Sequence, residues 1–133
     1  HSNRHTIIIK TDGEYKVCGD KDRIAQVISN LLTNAIKYSP DSDNVEVYVK
    51  HVHPGNVSVM VKDHGIGIDK KDQEKIFERF YRVEGKSEQT YPGFGIGLFI
   101  ASEIIQRHNG AIKVESKKGE GSTFTLTLPV NGF

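Results

Sequence analysis

Residues 57–67 read VSVMVKDHGIG, and this stretch combines a predicted strand with a candidate site. Apolar and polar residues alternate in it, as expected of a strand with one buried face, here formed by Val57, Val59 and Val61. Side chains two apart in a strand point the same way, which predicts that Asp63 lies on the buried face too. An unpaired buried carboxylate is unfavourable, so Asp63 must accept hydrogen bonds.

Two glycines, Gly65 and Gly67, follow this carboxylate almost at once. Because they lack side chains, another molecule can approach the backbone closely there. A carboxylate that accepts from an amine beside such a backbone suits a flat polar ring such as adenine, which makes the stretch a candidate nucleotide pocket. Taken alone, the same residues favour a simpler interpretation, a strand-end aspartate followed by a glycine turn.

The composition is that of one ordinary globular domain. The 133 residues are 36% hydrophobic and 26% charged, enough for a core and too apolar for disorder. A net charge of +1 argues against a nucleic-acid-binding protein, and the single cysteine, Cys18, excludes a disulfide framework. No segment has the length of a membrane span or the pattern of a signal peptide. Residues 1–133 are expected to be one domain excised from a longer protein, because His1 lies close to the first predicted strand.

Hydrophobic periodicity predicts the order of the elements. The predicted strands cover residues 6–10, 15–18, 45–52, 57–63, 111–116 and 122–128, and the predicted helices cover about residues 20–38 and 98–108, with a short helix or two turns at 69–80. Strands and helices do not alternate, which favours an α+β two-layer sandwich over a doubly wound parallel fold. The sheet is expected to be mixed, mainly antiparallel and covered by helices on one face.

The first predicted helix carries a polar stripe beside its apolar face. Its members recur three or four residues apart and are Arg23, Gln26, Asn30, Asn34 and Lys37. Such a stripe is usually a solvated face, but two asparagines in mid-helix argue against this, because asparagine is a poor helix former. An amide oxygen suits magnesium, and Lys37 would be placed to neutralise a phosphate.

A long segment without periodicity, residues 81–97, is expected to be functional or mobile. It runs into the sequence GFGIGL at residues 93–98, where glycines lead into a helix N-terminus. Free backbone N–H groups and the positive end of the helix dipole would suit phosphate there. The spacing is neither that of a Walker loop nor that of the Rossmann fingerprint, and a plain lid or turn is the alternative.

Ser122 follows Gly119 and Gly121, which are best explained by a hairpin turn. It shares a strand face with Phe124, because side chains alternate along a strand. Its hydroxyl is therefore expected to face the core, near Asp63.

Five segments in this order resemble the sequence boxes of sensor histidine kinases. Residues 30–40 resemble the N box, 63–68 the G1 box, 76–82 the F box, 93–98 the G2 box and 119–124 the last glycine box. The resemblance covers nearly the whole chain and is to the catalytic, ATP-binding domain of two-component kinases. It implies the Bergerat-type fold of the superfamily that also includes gyrase, the ninety-kilodalton heat-shock chaperone and MutL.

The resemblance also implies a role for each matching position. Asn34 would bind the magnesium that bridges the phosphates of ATP, assisted by Asn30, and Asn34 and Lys37 would be the catalytic residues. Asp63 would accept a hydrogen bond from the adenine amino group. The other implied nucleotide contacts are Tyr38, Gly65, Gly67, Ile68, Arg82, Gly93, Gly95, Gly97, Leu98 and Ser122. Arg79 is an alternative to Arg82 on the phosphate, and residues 82–95 are expected to form a mobile lid. Phe94 replaces a residue that commonly carries a small hydroxyl, so a phosphate contact is lost there.

The implied function is to bind Mg–ATP and donate its γ-phosphate to a histidine on a separate dimerisation domain, in two-component signal transduction. None of the six histidines precedes an acid, so the acceptor histidine is expected upstream. The expected partners are ATP, that dimerisation domain and a response regulator, with no nucleic acid and no direct membrane contact. The expected location is the cytoplasm. This includes the case in which the domain is the cytoplasmic part of a membrane-bound sensor. The alternatives are a serine kinase of the anti-sigma type and a nucleotide-binding module without catalysis.

Overall fold

The computed structural model describes residues 6–11, 13, 17, 19–37, 44–52, 55–79, 81 and 97–130. The strands are β1 (Thr6–Thr11), β2 (Asn44–Val52), β3 (Asn56–Lys62), β4 (Ala111–Lys117) and β5 (Gly121–Pro129). The helices are α1 (Lys21–Lys37), α2 (Lys70–Gln73) and α3 (Gly97–Arg107). These bounds agree with the predicted ones to within one or two residues, except that α2 has only four residues and is followed by turns. The predicted strand at 15–18 lies almost entirely outside the described residues.

The five strands form one mixed sheet in the order β1-β2-β3-β5-β4. β1 and β2 are parallel, and the other neighbours are antiparallel. One row of directly opposed residues crosses the whole sheet, and it consists of Ile9, Val47, Val61, Phe124 and Val114. Because opposed residues share a face, this row marks the apolar face that the sequence alternation predicted.

Both long helices cover this apolar face, and α1 and α3 also pack against each other. The side chains that they bury in the common core are Val27, Leu31, Ala35, Leu98, Ala101, Ile104 and Ile105. The expected α+β two-layer sandwich, with a mainly antiparallel sheet covered on one face, is therefore confirmed. None of the helices within the described residues is long and apolar enough to cross a lipid bilayer.

The ends of both long helices are fixed by local hydrogen bonds. The carboxylate of Asp20 accepts from the N–H groups of Asp22 and Arg23 at 3.1 and 3.2 Å, so Asp20 is the N-cap of α1. After α3, Asn109 takes the left-handed conformation with φ 62°, and the N–H of Gly110 donates to Ile105 O at 2.9 Å. α3 thus ends at Arg107, within one residue of the predicted bound at 108, and the chain turns into β4.

The helices do not reach the β1 edge of the sheet. Ile7 and Ile9 pair with Val45 and Val47 and so share the core face, yet they are 43% and 64% exposed, whereas both valines are buried. The apolar face of the sheet therefore extends one strand further than its helical cover.

Candidate nucleotide site

Asp63 lies one residue beyond the end of β3 and is 2% exposed. Its Oδ1 accepts from the N–H of Gly65 at 2.9 Å and from the N–H of Ser122 at 3.3 Å. Its own N–H donates to Ser122 O at 2.9 Å. The predictions that this carboxylate is buried and hydrogen-bonded are confirmed. Both bonds end on Oδ1, and within the described residues none is directed to Oδ2.

The charge of Asp63 is only partly compensated. Burial raises the pKa of the Asp63 carboxyl above its ordinary value, while the two backbone N–H groups and nearby His64 act in the opposite direction. Because burial has the larger effect, the ionised form still lacks stabilisation in the folded chain. A further hydrogen-bond donor at this carboxylate would supply it.

Glycines allow two backbone segments to meet beside Asp63. A Cβ atom at Gly67, where φ is 73°, would lie 2.2 Å from the carbonyl oxygen of Lys117. A Cβ atom at Gly121, where φ is 110°, would lie 2.2 Å from the carbonyl oxygen of Asp63. The close approach at Gly67 is therefore made by the β4–β5 turn of the chain itself. Whether Gly65 and Gly67 also admit a nucleotide stays a prediction.

The polar stripe of α1 divides into two halves. Arg23 and Gln26 are exposed, as in a solvated face, but Asn34 is only 6% exposed and Asn30 is half-buried. The side-chain nitrogen of Asn30 donates to the carbonyl oxygen of Gly97 at 3.5 Å, a long bond that joins α1 to the first residue of α3. Asn30 therefore faces the region where the predicted phosphate-binding loop enters its helix, and Asn34 lies one turn further along α1.

The structure brings part of the predicted nucleotide set together and leaves part outside the described residues. Ile68 and Leu98 are core residues, and the N–H of Ile68 already donates to the hydroxyl of Ser116. Five members of the predicted set lie outside the described part: the side chain of Lys37, and Tyr38, Arg82, Gly93 and Gly95. The predicted lid over residues 82–95 lies there too.

Arg79 is described, and its guanidinium lies over the ring of Phe99 in α3, 5.9 Å from the centroid. This contact places Arg79 beside α3 and leaves its predicted phosphate role open. The hydroxyl of Tyr81 donates to Oδ1 of buried Asp72 at 2.5 Å, while Oδ2 of Asp72 is buried and has no hydrogen-bond partner among the described residues. Tyr81 is thus anchored where the predicted lid begins.

Ser122 is buried beside Asp63 as predicted, but its backbone makes the contact. Its hydroxyl lies 2.7 Å from the hydroxyl of Ser116, which is opposite it in the β4–β5 ladder. The sequence interpretation missed Ser116, although counting outward from the hairpin turn places it opposite Ser122. It also missed Gln73, whose side-chain nitrogen donates to the carbonyl oxygens of Ile68 and Ser116 at 2.9 and 2.8 Å.

A cluster of acidic, histidine or cysteine side chains is the usual alternative to amide oxygens as a metal site. Within the residues that the structure describes, no group of three or more histidine, cysteine, aspartate or glutamate side chains is arranged to hold a metal ion. The amide oxygens of α1 are therefore the candidates for a hard cation.

Comparison of the sequence with known proteins agrees with the fold and with this site. The family "Histidine kinase-, DNA gyrase B-, and HSP90-like ATPase" matches residues 19–132, and the chain belongs to this family of ATPases. Within it, the similar proteins are sensor kinases. The chain is 43% identical over 125 residues to the sensor-like histidine kinase SenX3 of Mycolicibacterium smegmatis, covering 92% of this chain and 32% of that protein. It is 45% identical over 111 residues to the sensor histidine kinase WalK of Bacillus subtilis, covering 83% and 18%.

Solved structures give the same result. The mycobacterial sensor histidine kinase MprB matches with a TM-score of 0.84 and 26% identity, over 99% of this chain and 86% of that one. The catalytic domain of the histidine kinase ThkA matches with a TM-score of 0.78 and 30% identity, over 96% and 80%. The predicted resemblance to the ATP-binding catalytic domains of sensor histidine kinases is confirmed. The chain spans about a third or less of the length of the curated relatives SenX3 and WalK.

The raised pKa of Asp63 predicts how stability changes with pH. Because the folded-state pKa lies above the ordinary 3.8, protonation of Asp63 favours the folded state. This contribution is complete below the ordinary pKa and is lost as the pH rises through the folded-state value. We expect the free energy of unfolding of the wild type, minus that of Asp63→Asn, to decrease as the pH rises from below 3.8 towards neutrality. Urea denaturation at a series of pH values measures this difference, and an increase with pH would contradict the assignment.

Proposed function

We propose that this chain binds Mg–ATP and donates the γ-phosphate to a histidine on a separate dimerisation domain. The observation that carries the proposal is Asp63, a buried carboxylate held at one oxygen by two backbone N–H groups within a chain of the histidine kinase ATPase family. Residues 1–133 then act as one catalytic domain of a longer kinase. The match to residues 19–132 supports this extent.

At the base end, Oδ2 of Asp63 accepts a hydrogen bond from the adenine amino group. The donor supplies the stabilisation that the buried carboxylate lacks, so binding and ionisation favour each other. Guanine carries a carbonyl oxygen in place of that amino group, and two acceptors would then face each other. The same carboxylate therefore selects ATP over GTP, because an unpaired buried polar group is unfavourable.

At the phosphate end, Asn34 holds the magnesium ion through its amide oxygen, and Asn30 assists from one turn earlier. The bond from Asn30 to Gly97 supports this, since it directs the Asn30 amide to the start of α3, and buried Asn34 lies one turn further along the same helix. When bound, magnesium bridges the phosphates and neutralises charge that develops during transfer. Lys37, one turn further along, contacts phosphate and is the second catalytic residue.

Other residues complete the proposed nucleotide site from the adjoining segments. Backbone groups at Gly97 and Leu98 line the triphosphate at the start of α3, where N–H groups without helical partners are available to an anion. The remaining proposed contacts are Tyr38 near the ribose or adenine, Arg82, Gly93 and Gly95 near phosphate, and Gly65, Gly67, Ile68 and Ser122 around the base.

The phosphate acceptor lies on another domain, because none of the six histidines here precedes an acidic residue. From that histidine the phosphate passes to an aspartate of a response regulator. We place this reaction in the cytoplasm, without nucleic acid and without direct membrane contact by this domain. The names of the relatives favour a histidine acceptor over the serine acceptor of an anti-sigma kinase. The presence of Asn34, Lys37 and Asp63 argues against a module without catalysis.

Replacing Asp63 with asparagine tests the base end of the site. The amide of Asp63→Asn presents a donor where adenine also presents one, so ATP binding should weaken by about 1–3 kcal/mol. Calorimetric titration of ATP into the folded variant measures the loss. Asp69→Asn is the matched control, because Asp69 is a carboxylate whose described partner is Lys118, 3.4 Å away at the surface. Equal ATP affinity in the wild type and folded Asp63→Asn would contradict the adenine assignment.

Asn34→Ala tests the phosphate end. The variant should bind Mg–ATP about tenfold more weakly but bind metal-free adenosine as the wild type does, because only the phosphates use the metal. Thr33→Ala, an exposed position on the same helix, is the control. If Mg–ATP and adenosine weaken equally, Asn34 has a structural role instead.

The division of labour between domains predicts the behaviour of the chain in isolation. Supplied with radiolabelled ATP, the 133-residue chain should bind nucleotide without labelling itself. Adding the dimerisation domain of the parent protein should give acid-labile phosphohistidine on that domain. The reaction should be slow, because two separate chains lack the high effective concentration of a tether. Stoichiometric label on this chain alone would contradict the proposal, and acid-stable label on an added serine substrate would favour the anti-sigma alternative.

A further inference from the structure

The hydroxyl of Ser116 uses its full hydrogen-bonding capacity. It accepts from the N–H of Ile68 at 2.8 Å, donates to the carbonyl oxygen of Gly121 at 2.9 Å and lies 2.7 Å from the hydroxyl of Ser122. A hydroxyl has one proton to donate and two lone pairs to accept with. Since its proton goes to Gly121, the hydroxyl of Ser122 is the donor in the third bond. Ser116 thus joins β4, the start of β5 and the segment after Asp63.

One of these three bonds leads to Ser122, which holds Asp63, and another leads to the segment that follows Asp63. Ser122 donates its N–H to Oδ1 of Asp63, and Ile68 ends the short segment that begins with the other donor, Gly65. The bond from Ser122 is 3.3 Å long, at the weak end of the usual range for N–H donors. A small displacement of β5 would therefore remove it.

The contact between β4, the start of β5 and residues 65–68 is called the junction here. Two further residues, Gln73 and Gly119, add hydrogen bonds to it. Gln73 donates both side-chain protons to the junction, one to Ile68 O and one to Ser116 O. The N–H of Gly119 donates to Ile66 O at 2.7 Å, so the hairpin turn is bonded to the segment after Asp63. Ser116 is the member whose side chain bonds both to the segment after Asp63 and to the start of β5.

We propose that Ser116 is a positioning residue for adenine recognition, which holds the Asp63 carboxylate in register by fixing Ser122 and Ile68. This inference rests on the proposed function of Asp63. It assigns Ser116 no contact with the nucleotide. Ser116 instead sets the direction in which Oδ2 of Asp63 accepts a hydrogen bond. We therefore expect the loss of Ser116 to lower the affinity for the base and not the affinity for the phosphates.

A double-mutant cycle on ADP binding tests the proposal. Calorimetry would give the ADP affinity of the wild type, Ser116→Ala, Asp63→Asn and the double variant, with circular dichroism confirming that each is folded. Ser116→Ala alone should weaken ADP about tenfold, whereas in the Asp63→Asn background it should change ADP affinity less than about twofold, because residues in one network are not additive. Ser116→Thr retains a hydroxyl and should recover most of the affinity. If Ser116→Ala does not fold, Ser116→Cys, with a weaker donor, takes its place in the cycle.

Ser102→Ala is the matched control, because Ser102 is also buried and hydrogen-bonded, but its described bond is with Gln106 of the same helix and involves none of the residues that hold Asp63. It should leave ADP affinity unchanged. Equal losses from Ser116→Ala in both backgrounds, or no loss when Asp63→Asn alone weakens ADP, would overturn the role of Ser116 and leave the proposed function intact. No loss of ADP affinity in Asp63→Asn would overturn the adenine assignment itself, and with it this inference.

Discussion

The burial of the Asp63 carboxylate constrains the backbone on every side of it. Asp63 and Ser122 exchange hydrogen bonds, one through the main chain and one through the carboxylate, so the contact between β3 and β5 continues past the last strand residue, Lys62. This brings the carbonyl of Asp63 so close to residue 121 that only glycine fits there. The β4–β5 turn, which leads into Gly121, packs on Gly67, and a side chain at position 67 is excluded there in the same way. The need for glycine at positions 67 and 121 therefore follows from the way the chain buries the Asp63 carboxylate.

The elements of this fold are encoded locally, which is why the sequence predicts them. Apolar residues recur every three or four positions in α1, and alternation marks β3 and β5, so both periods are visible without knowledge of neighbours. The arrangement of the elements is encoded differently. Nothing in the alternation of β1 specifies that its partner is β2 or that the two run parallel, and β3 lies beside β5 although about sixty residues separate them. Such pairings depend on contacts between segments that are distant in the chain.

The candidate site shows the same difference between features that are encoded locally and features that depend on distant segments. Strand parity was sufficient to predict a buried Asp63, because it is a local rule. It was not sufficient for Ser116 and Gln73, because the bond from Ile68 to Ser116 spans 48 residues and the bond from Gln73 to Ser116 spans 43. The helical stripe illustrates an intermediate case. Spacing identified the side of α1 that carries the asparagines, but only the position of α3 determines that Asn30 is covered while Arg23 remains in water.

The unprotected edge at β1 has a consequence for how the domain comes apart. β1 is held by a single described neighbour, β2, and the family match begins at residue 19, after this strand. Two of its three isoleucines, Ile7 and Ile9, keep roughly half of their surface in water, so detaching the strand exposes little more of their surface. Its return requires closing a loop that includes all of α1. We therefore expect β1 to be a small cooperative unit at the margin of the sheet, whose opening would leave the hydrogen bonds between Asp63 and Ser122 in place.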